Sequence, residues 1–233
     1  MTELDRIYNC DCRTGLQNIP DKSVDLVVMD PPYDLEKAGG GAFGYANRTY
    51  HSELDPLSAG ITNDTLDLIM SKCKKINAYV WCNKRQLRQY FDYFDDRGCL
   101  IDLLTWHKSN PVPACGNKYL SDTEYIVFAR EKGVKLYGSY ETKHKYYITS
   151  LNTADKELYG HPTVKPLEII KNLISNSSVE GDVVLDPYMG SGTTAVAARL
   201  LGRHYIGYEI DPKHYDTCLK RLDKNVKGLD MWL

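Results

Sequence analysis

The chain has little of what marks membrane, secreted or metal-holding proteins. No run approaches the roughly 18 consecutive apolar residues that a spanning helix needs, and Met1-Thr2-Glu3-Leu4-Asp5-Arg6 lacks the apolar core of a signal peptide. These absences are read as a soluble chain of the cytoplasm with no membrane contact. The seven cysteines are an odd set without C-x-x-C pairs, and Cys10 and Cys12 stand too close for an ordinary zinc half-site. They are read as reduced thiols, and the six histidines form no ligand-spaced cluster, so no metal is expected. Basic excess is missing too: 29 Lys and Arg against 31 Asp and Glu leave a net charge of −2. That excludes a protein that coats polyanions non-specifically, because such binding needs many unpaired cations. Repeats, low-complexity tracts and long charge blocks are also absent.

What is present is a chain of 233 residues, 42% hydrophobic, long enough for one substantial core, and residues 1–233 are expected to form one domain. The run 24–29 (VDLVVM) is short, apolar and β-branched and stops at Asp30-Pro31-Pro32-Tyr33, where proline forbids continuation of a ladder. A glycine-rich segment, 39–60, reads as a mobile loop, and a helix is expected after the N-cap Thr62. Strands are expected over 78–82, 101–106 and 124–129, the last two as a hairpin-like pair at a sheet edge. Between 130 and 160 the apolar periodicity fades while lysines and tyrosines accumulate, so this stretch reads as surface. Order returns with a helix over 166–175, a strand over 182–185, a glycine turn, a helix over 193–201 and a strand over 205–209. A strand, helix and strand in that order imply an α/β fold with a largely parallel sheet.

Two strand ends carry chemistry. Gly190 and Gly192 lie between a strand and a helix, where backbone can approach a ligand closely, and Glu209 ends the next strand, placed to accept from ribose hydroxyls. Gly190, Gly192 and Ala195 also satisfy the spacing of nicotinamide-binding folds, with Glu209 about 20 residues on. This signal therefore implies an adenosyl cofactor without saying which. The other strand end offers the Asp30 carboxylate, a rigid loop whose prolines carry carbonyls but no N–H, and the face of Tyr33. Those parts match a planar base bearing an NH2 group: Asp30 and the Pro31 carbonyl would each accept one amino hydrogen while Tyr33 stacks on the ring.

Together the two motifs resemble the amino methyltransferases of DNA, of the β class in which the catalytic tetrapeptide precedes the cofactor glycines, and the resemblance covers nearly the whole chain. It implies a Rossmann-like, S-adenosylmethionine-dependent methyltransferase fold with circularly permuted motif order and a mostly parallel central sheet. The family's tetrapeptide D/N/S-P-P-Y/F/W corresponds to Asp30, Pro31, Pro32 and Tyr33, and aspartate in first place leans toward adenine N6 over cytosine N4. The cofactor motif D-P-F-x-G-S-G-T-T corresponds to Asp186 through Thr194, so that Asp186, Tyr188, Gly190, Ser191, Gly192, Thr193 and Thr194 are implied cofactor residues, Tyr188 standing where Phe is usual. His161, Thr163 and Lys165 resemble a second cofactor motif whose threonine and lysine sit near the methionine carboxylate. Asp11 resembles the acid that contacts the cofactor adenine, although Cys10 replaces the common glycine.

For DNA, Lys108 and Asn110 resemble residues that flank the target base, and Lys143 and Lys145 fall in a short candidate target-recognition insert, 131–160. The resemblance further implies a bacterial or phage-encoded enzyme with double-stranded DNA as partner, a place in restriction and modification, and homodimerisation. Because the methyl donor is an activated sulfonium, direct transfer needs orientation, acceptors and a dry pocket more than a strong base. Alternatives are N4-cytosine methylation, an RNA substrate, and a catalytically silent subunit that keeps the fold. Protein-glutamine methylation is disfavoured by Asp30 and by the motif order, and a nicotinamide oxidoreductase would have no use for the tetrapeptide.

Overall fold

The computed structural model describes residues 2–33, 60–111, 113, 117, 119–150 and 164–229, with side chains of the last helix described as far as residue 223. His161, Thr163, residues 151–160 of the candidate insert and all but the last residue of the candidate loop 39–60 lie outside the described residues.

Eight strands form one sheet among the described residues: β1 (Arg6–Asn9), β2 (Leu26–Met29), β3 (Asn77–Cys82), β4 (Leu100–Lys108), β5 (Thr123–Arg130), β6 (Tyr146–Thr149), β7 (Val183–Asp186) and β8 (His204–Glu209). Their order is β1-β8-β7-β2-β3-β5-β4-β6. Only β5 runs against its neighbours β3 and β4; the other pairings are parallel. The helices are α1 (Cys12–Leu16), α2 (Asn63–Ser71), α3 (Leu87–Asp95), α4 (Leu167–Ser177), α5 (Thr193–Leu200) and α6 (Pro212–Leu229), with a 3-10 turn at Glu141–Lys143.

The central strands are apolar throughout because both faces are covered. Every residue of β2 and β3 is buried, as befits parallel strands between two helical layers. Alternation divides β2 between two cores. Val27 and Met29 pack with Leu66, Ile69, Tyr90 and Phe94 of α2 and α3 on one face. Leu26 and Val28 pack with Ile169, Leu173, Ile174 and Val196 of α4 and α5 on the other. Thr62 caps α2 as expected, its Oγ1 accepting from the Thr65 N–H at 3.3 Å.

Two expectations need correction. The β4–β5 pair is antiparallel as read, but it is internal: β3 pairs with β5, and β6 adds to the far side of β4, opposite Thr105–Lys108. The segment after residue 130 therefore contributes an edge strand as well as surface. Its alternation of exposed Tyr146 and Ile148 with half-buried Tyr147 and Thr149 is the pattern of a strand covered on one face.

The chain passes from β7 through α5 to β8 on one side, and from β2 through α2 to β3 on the other. The winding thus reverses between β7 and β2, and in open α/β sheets the crevice at the carboxyl ends of such a strand pair is where ligands bind. Asp186 ends β7 and Asp30 follows β2, so both motifs open into that crevice.

Candidate active site

On the β7 side, the turn after Asp186 is built by hydrogen bonds that its own sequence supplies. Asp186 Oδ1 accepts from the Tyr188 N–H at 3.0 Å, and the Met189 N–H reaches Tyr208 O on β8 at 2.8 Å. Gly190 and Gly192 take φ of 54° and 80°, left-handed values that side-chain-bearing residues seldom adopt. At Gly192 a Cβ would also stand 3.2 Å from Cys218 Cα in α6. Glu209 receives the turn: Oε2 accepts from the Gly190 N–H at 2.7 Å, and Oε1 from the Asp211 N–H at 2.9 Å.

Behind the turn lies Arg221, buried in α6, whose Nη1 donates to Ser191 O at 3.2 Å, Ser191 Oγ at 3.1 Å and Thr193 Oγ1 at 2.7 Å. Sequence reasoning missed this brace, since the polar helix around Arg221 gives no sign that one arginine points inward. Ser191 and Thr193 thus use their hydroxyls to fix the loop. Asp11 caps α1, its Oδ1 accepting from the Arg13 N–H at 2.8 Å, at the end of β1 where Asn9 pairs with Glu209. It therefore shares the crevice's rim with Glu209.

On the β2 side, Pro31 and Pro32 carry the chain out of the sheet, and buried Gln86 pins the loop by donating to Pro32 O at 2.9 Å. Lys165 Nζ stands 2.8 Å from Asp30 Oδ2 and 3.0 Å from Glu124 Oε2. The same ammonium donates to Tyr33 Oη at 3.2 Å, and that hydroxyl donates onward to Glu124 Oε2 at 3.4 Å. Lys108 Nζ closes the cluster at 2.8 Å from Glu124 Oε1. Asp30 Oδ1, by contrast, is buried with no hydrogen-bond partner. A buried carboxylate oxygen left unmatched is costly, and a substrate N–H is a donor that would satisfy it.

Two residues expected at the site form ion pairs within this cluster. Lys165, expected beside a cofactor carboxylate, has its charge between Asp30 and Glu124, because β5 delivers an acid to the same depth. Lys108, expected at the base edge, is spent on Glu124 and is mostly buried. Asn110 is exposed at the site end of the sheet. Lys143 and Lys145 precede β6, and Lys145 pairs with Asp102 near the start of β4. Four residues of strand, about 13 Å, separate Lys145 from Thr149, which is in register with Lys108. Lys143 and Lys145 therefore lie toward the end of the sheet away from Asp30. Glu124 and Gln86 went unrecognised; the only signal of the first was an acid opening an otherwise apolar strand.

Electrostatics separate the two halves of the crevice. Burial would push Glu124 up, but the ammonium groups of Lys165 and Lys108 hold it down to about 2. Burial likewise works against a charged Lys165, and Asp30 and Glu124 more than offset it, raising its pKa. Across the crevice, Asp186 and Glu209 are pushed up, chiefly by burial, and so is Asp30 on the β2 side despite Lys165. Asp186 reaches about 7, with the Asp30 and Glu209 charges adding to the burial effect. Asp186 and Glu209, two buried acids without an ion-paired lysine or arginine among the described residues, leave this half short of positive charge, and a sulfonium-bearing adenosyl cofactor fits it. Among the described residues no group of three or more His, Cys, Asp or Glu side chains is arranged to hold a metal ion. No described helix is long and apolar enough to cross a membrane.

A doubly wound sheet with a glycine turn and a D-P-P-Y strand end at one switch point defines an S-adenosylmethionine-dependent amino methyltransferase of DNA. The comparisons agree: the N6/N4 DNA methylase family matches residues 24–220, and the chain belongs to that family. It is 29% identical to the type II methyltransferase M.HinfI of Haemophilus influenzae over 254 aligned residues, covering 94% of this chain and 68% of that one. With M2.MboI of Moraxella bovis it shares 28% identity, covering 92% and 86% of the two chains. Among solved structures, the M1.HpyAVI–SAM complex superposes with a TM-score of 0.70 at 26% identity, covering 93% of this chain and 98% of that one.

Proposed function

We propose that the protein is a site-specific type II DNA methyltransferase that moves a methyl group from S-adenosylmethionine directly to N6 of an adenine flipped out of the duplex. The observation that carries this reading is Asp30 Oδ1, buried and unpartnered just past the carboxyl end of β2. Asp30 Oδ1 and the Pro31 carbonyl each accept one amino hydrogen, which draws the nitrogen lone pair out of conjugation and toward the methyl carbon. The new N–C bond forms as the C–S bond breaks to leave a neutral thioether, and the methylated nitrogen gives up one of its two protons through Asp30 to solvent. Tyr33 stacks on the base and offsets part of the few kcal/mol that flipping costs. Gln86 fixes the loop that presents these groups.

The cofactor, when bound, supplies the activated methyl group. Glu209 holds its ribose hydroxyls, Asp186, Tyr188, Gly190 and Gly192 shape the pocket for its methionine part, and Asp11 lies within the same rim. Thr194, through its hydrogen bond, steadies Asp186. His161 and Thr163 complete the set by resemblance, and Asn110 is the DNA contact nearest the target base. Two relatives that align with more than nine-tenths of this chain are type II methyltransferases, which supports a short double-stranded target, and the family resemblance supports a homodimer. Expression in a host without its own DNA methylation, followed by nucleoside mass spectrometry of genomic DNA, tests the base. N6-methyladenine is expected, and N4-methylcytosine in its place overturns the adenine assignment.

A further inference from the structure

Glu124 belongs to neither motif, yet it contacts Tyr33, Lys165 and Lys108. Its Oε2 receives Lys165 Nζ at 3.0 Å and Tyr33 Oη at 3.4 Å, and its Oε1 receives Lys108 Nζ at 2.8 Å. Lys165 in turn holds Asp30 Oδ2 at 2.8 Å and lies 4.8 Å from the ring centroid of buried Trp81. The result is a line of alternating charge, Asp30, Lys165, Glu124 and Lys108, with the Tyr33 hydroxyl bridging its middle pair. It joins the acceptor at one end of the tetrapeptide to the aromatic ring at the other. Glu124 comes from β5, the antiparallel strand, whose amino-terminal end therefore lies beside the carboxyl ends of its parallel neighbours.

We infer that Glu124 is a positioning residue for methyl transfer, acting through Lys165 and Tyr33. By sharing the Lys165 ammonium with Asp30, it keeps that ammonium on Oδ2 and leaves Oδ1 as the acceptor turned to the substrate amine. By accepting from the Tyr33 hydroxyl, it fixes the ring against which the base stacks. Without it, the whole charge of Lys165 falls on Asp30, whose carboxylate becomes a weaker hydrogen-bond acceptor. The inference rests on the roles proposed above for Asp30 and Tyr33.

The groups that act on Asp30 are Lys165, Glu124 and Tyr33, and it in turn acts on Cys82, Tyr90 and Asp186. Of these, Glu124 is the like charge that raises Asp30, so its loss lowers the pKa of Asp30. The test is Glu124→Gln, nearly isosteric, beside Glu124→Asp, which keeps the charge. The expected result for Glu124→Gln is unchanged affinity for S-adenosylmethionine by calorimetry and a kcat on the order of 10²-fold lower, as for a misplaced reacting group. The acid limb of its pH–rate profile moves to lower pH, and Glu124→Asp restores both the limb and part of the rate. A parental kcat overturns the inference, and so does a lower kcat with the acid limb unmoved, which would mark a purely structural role. Asp30→Ala, run alongside, separates the two claims: an inactive Asp30→Ala with a parental Glu124→Gln removes only this inference, whereas an active Asp30→Ala removes both.

Discussion

Lys165 Nζ sits 2.8 Å from Asp30 Oδ2 while Asp30 Oδ1 stays buried and unpartnered, so one carboxylate is half anchored and half open. An acceptor fixed on one oxygen is already oriented before substrate arrives, and pre-organisation of this kind is where electrostatic catalysis draws its advantage.

Tyr33→Ala should lose methylation far more than cofactor affinity. Stacking of a base on an aromatic ring contributes about 1–3 kcal/mol, so kcat/KM on duplex DNA should fall roughly 10- to 100-fold. Calorimetric affinity for S-adenosylmethionine should hold. A parental rate on duplex DNA would remove the ring from the account.

Acidity should govern the cofactor half of the site. With Asp186 raised to about 7, the folded, cofactor-free protein binds a proton that the unfolded chain, titrating about 3.9, releases earlier. That contribution to stability is full below about pH 4 and is lost as pH rises toward 7. Glu124, held down to about 2, is ionised in both states over this window and adds no slope. Melting curves between pH 5 and 7.5 should therefore show a falling Tm whose slope Asp186→Asn reduces, the raised Asp30 and Glu209 supplying what remains. The Tm gain on adding S-adenosylmethionine should grow with pH over the same window, since a cationic donor favours ionised Asp186. A gain independent of pH would contradict the assignment.

Gly192→Ala combines a left-handed φ of 80° with a Cβ 3.2 Å from Cys218 Cα. The conformational part alone costs about 1–2 kcal/mol, and the contact adds to it because the neighbour is backbone. A lower Tm together with weaker cofactor binding is expected, the two measured by calorimetry on one preparation. Unchanged affinity would mean that the turn does not shape the cofactor pocket.

The sequence disclosed the parts of this site that are local. β2 stops where two prolines forbid a ladder, and the turn after Asp186 needs glycine where φ is positive, so both strand ends were legible within a few residues. The hairpin of β4 and β5 was legible for the same reason, but its place inside the sheet was not. β5 is internal because it pairs with β3, which the chain leaves through α3, and β4 is internal because of β6, whose four residues alternate too briefly to stand out. Glu124, Gln86 and Arg221 were hidden because each acts on a loop 28 or more residues away, and no local pattern distinguishes a buried charge from a solvated one.

The most direct test of the central claim uses purified protein, unmethylated bacterial DNA and S-adenosylmethionine carrying a labelled methyl group. Digestion to nucleosides and mass spectrometry follow, with Asp30→Ala in parallel. The account predicts labelled N6-methyladenine from the parent, and from Asp30→Ala no product despite intact cofactor binding. Labelled methyl on adenine at an equal rate in the variant, or no product from a parent that binds the cofactor, would contradict it.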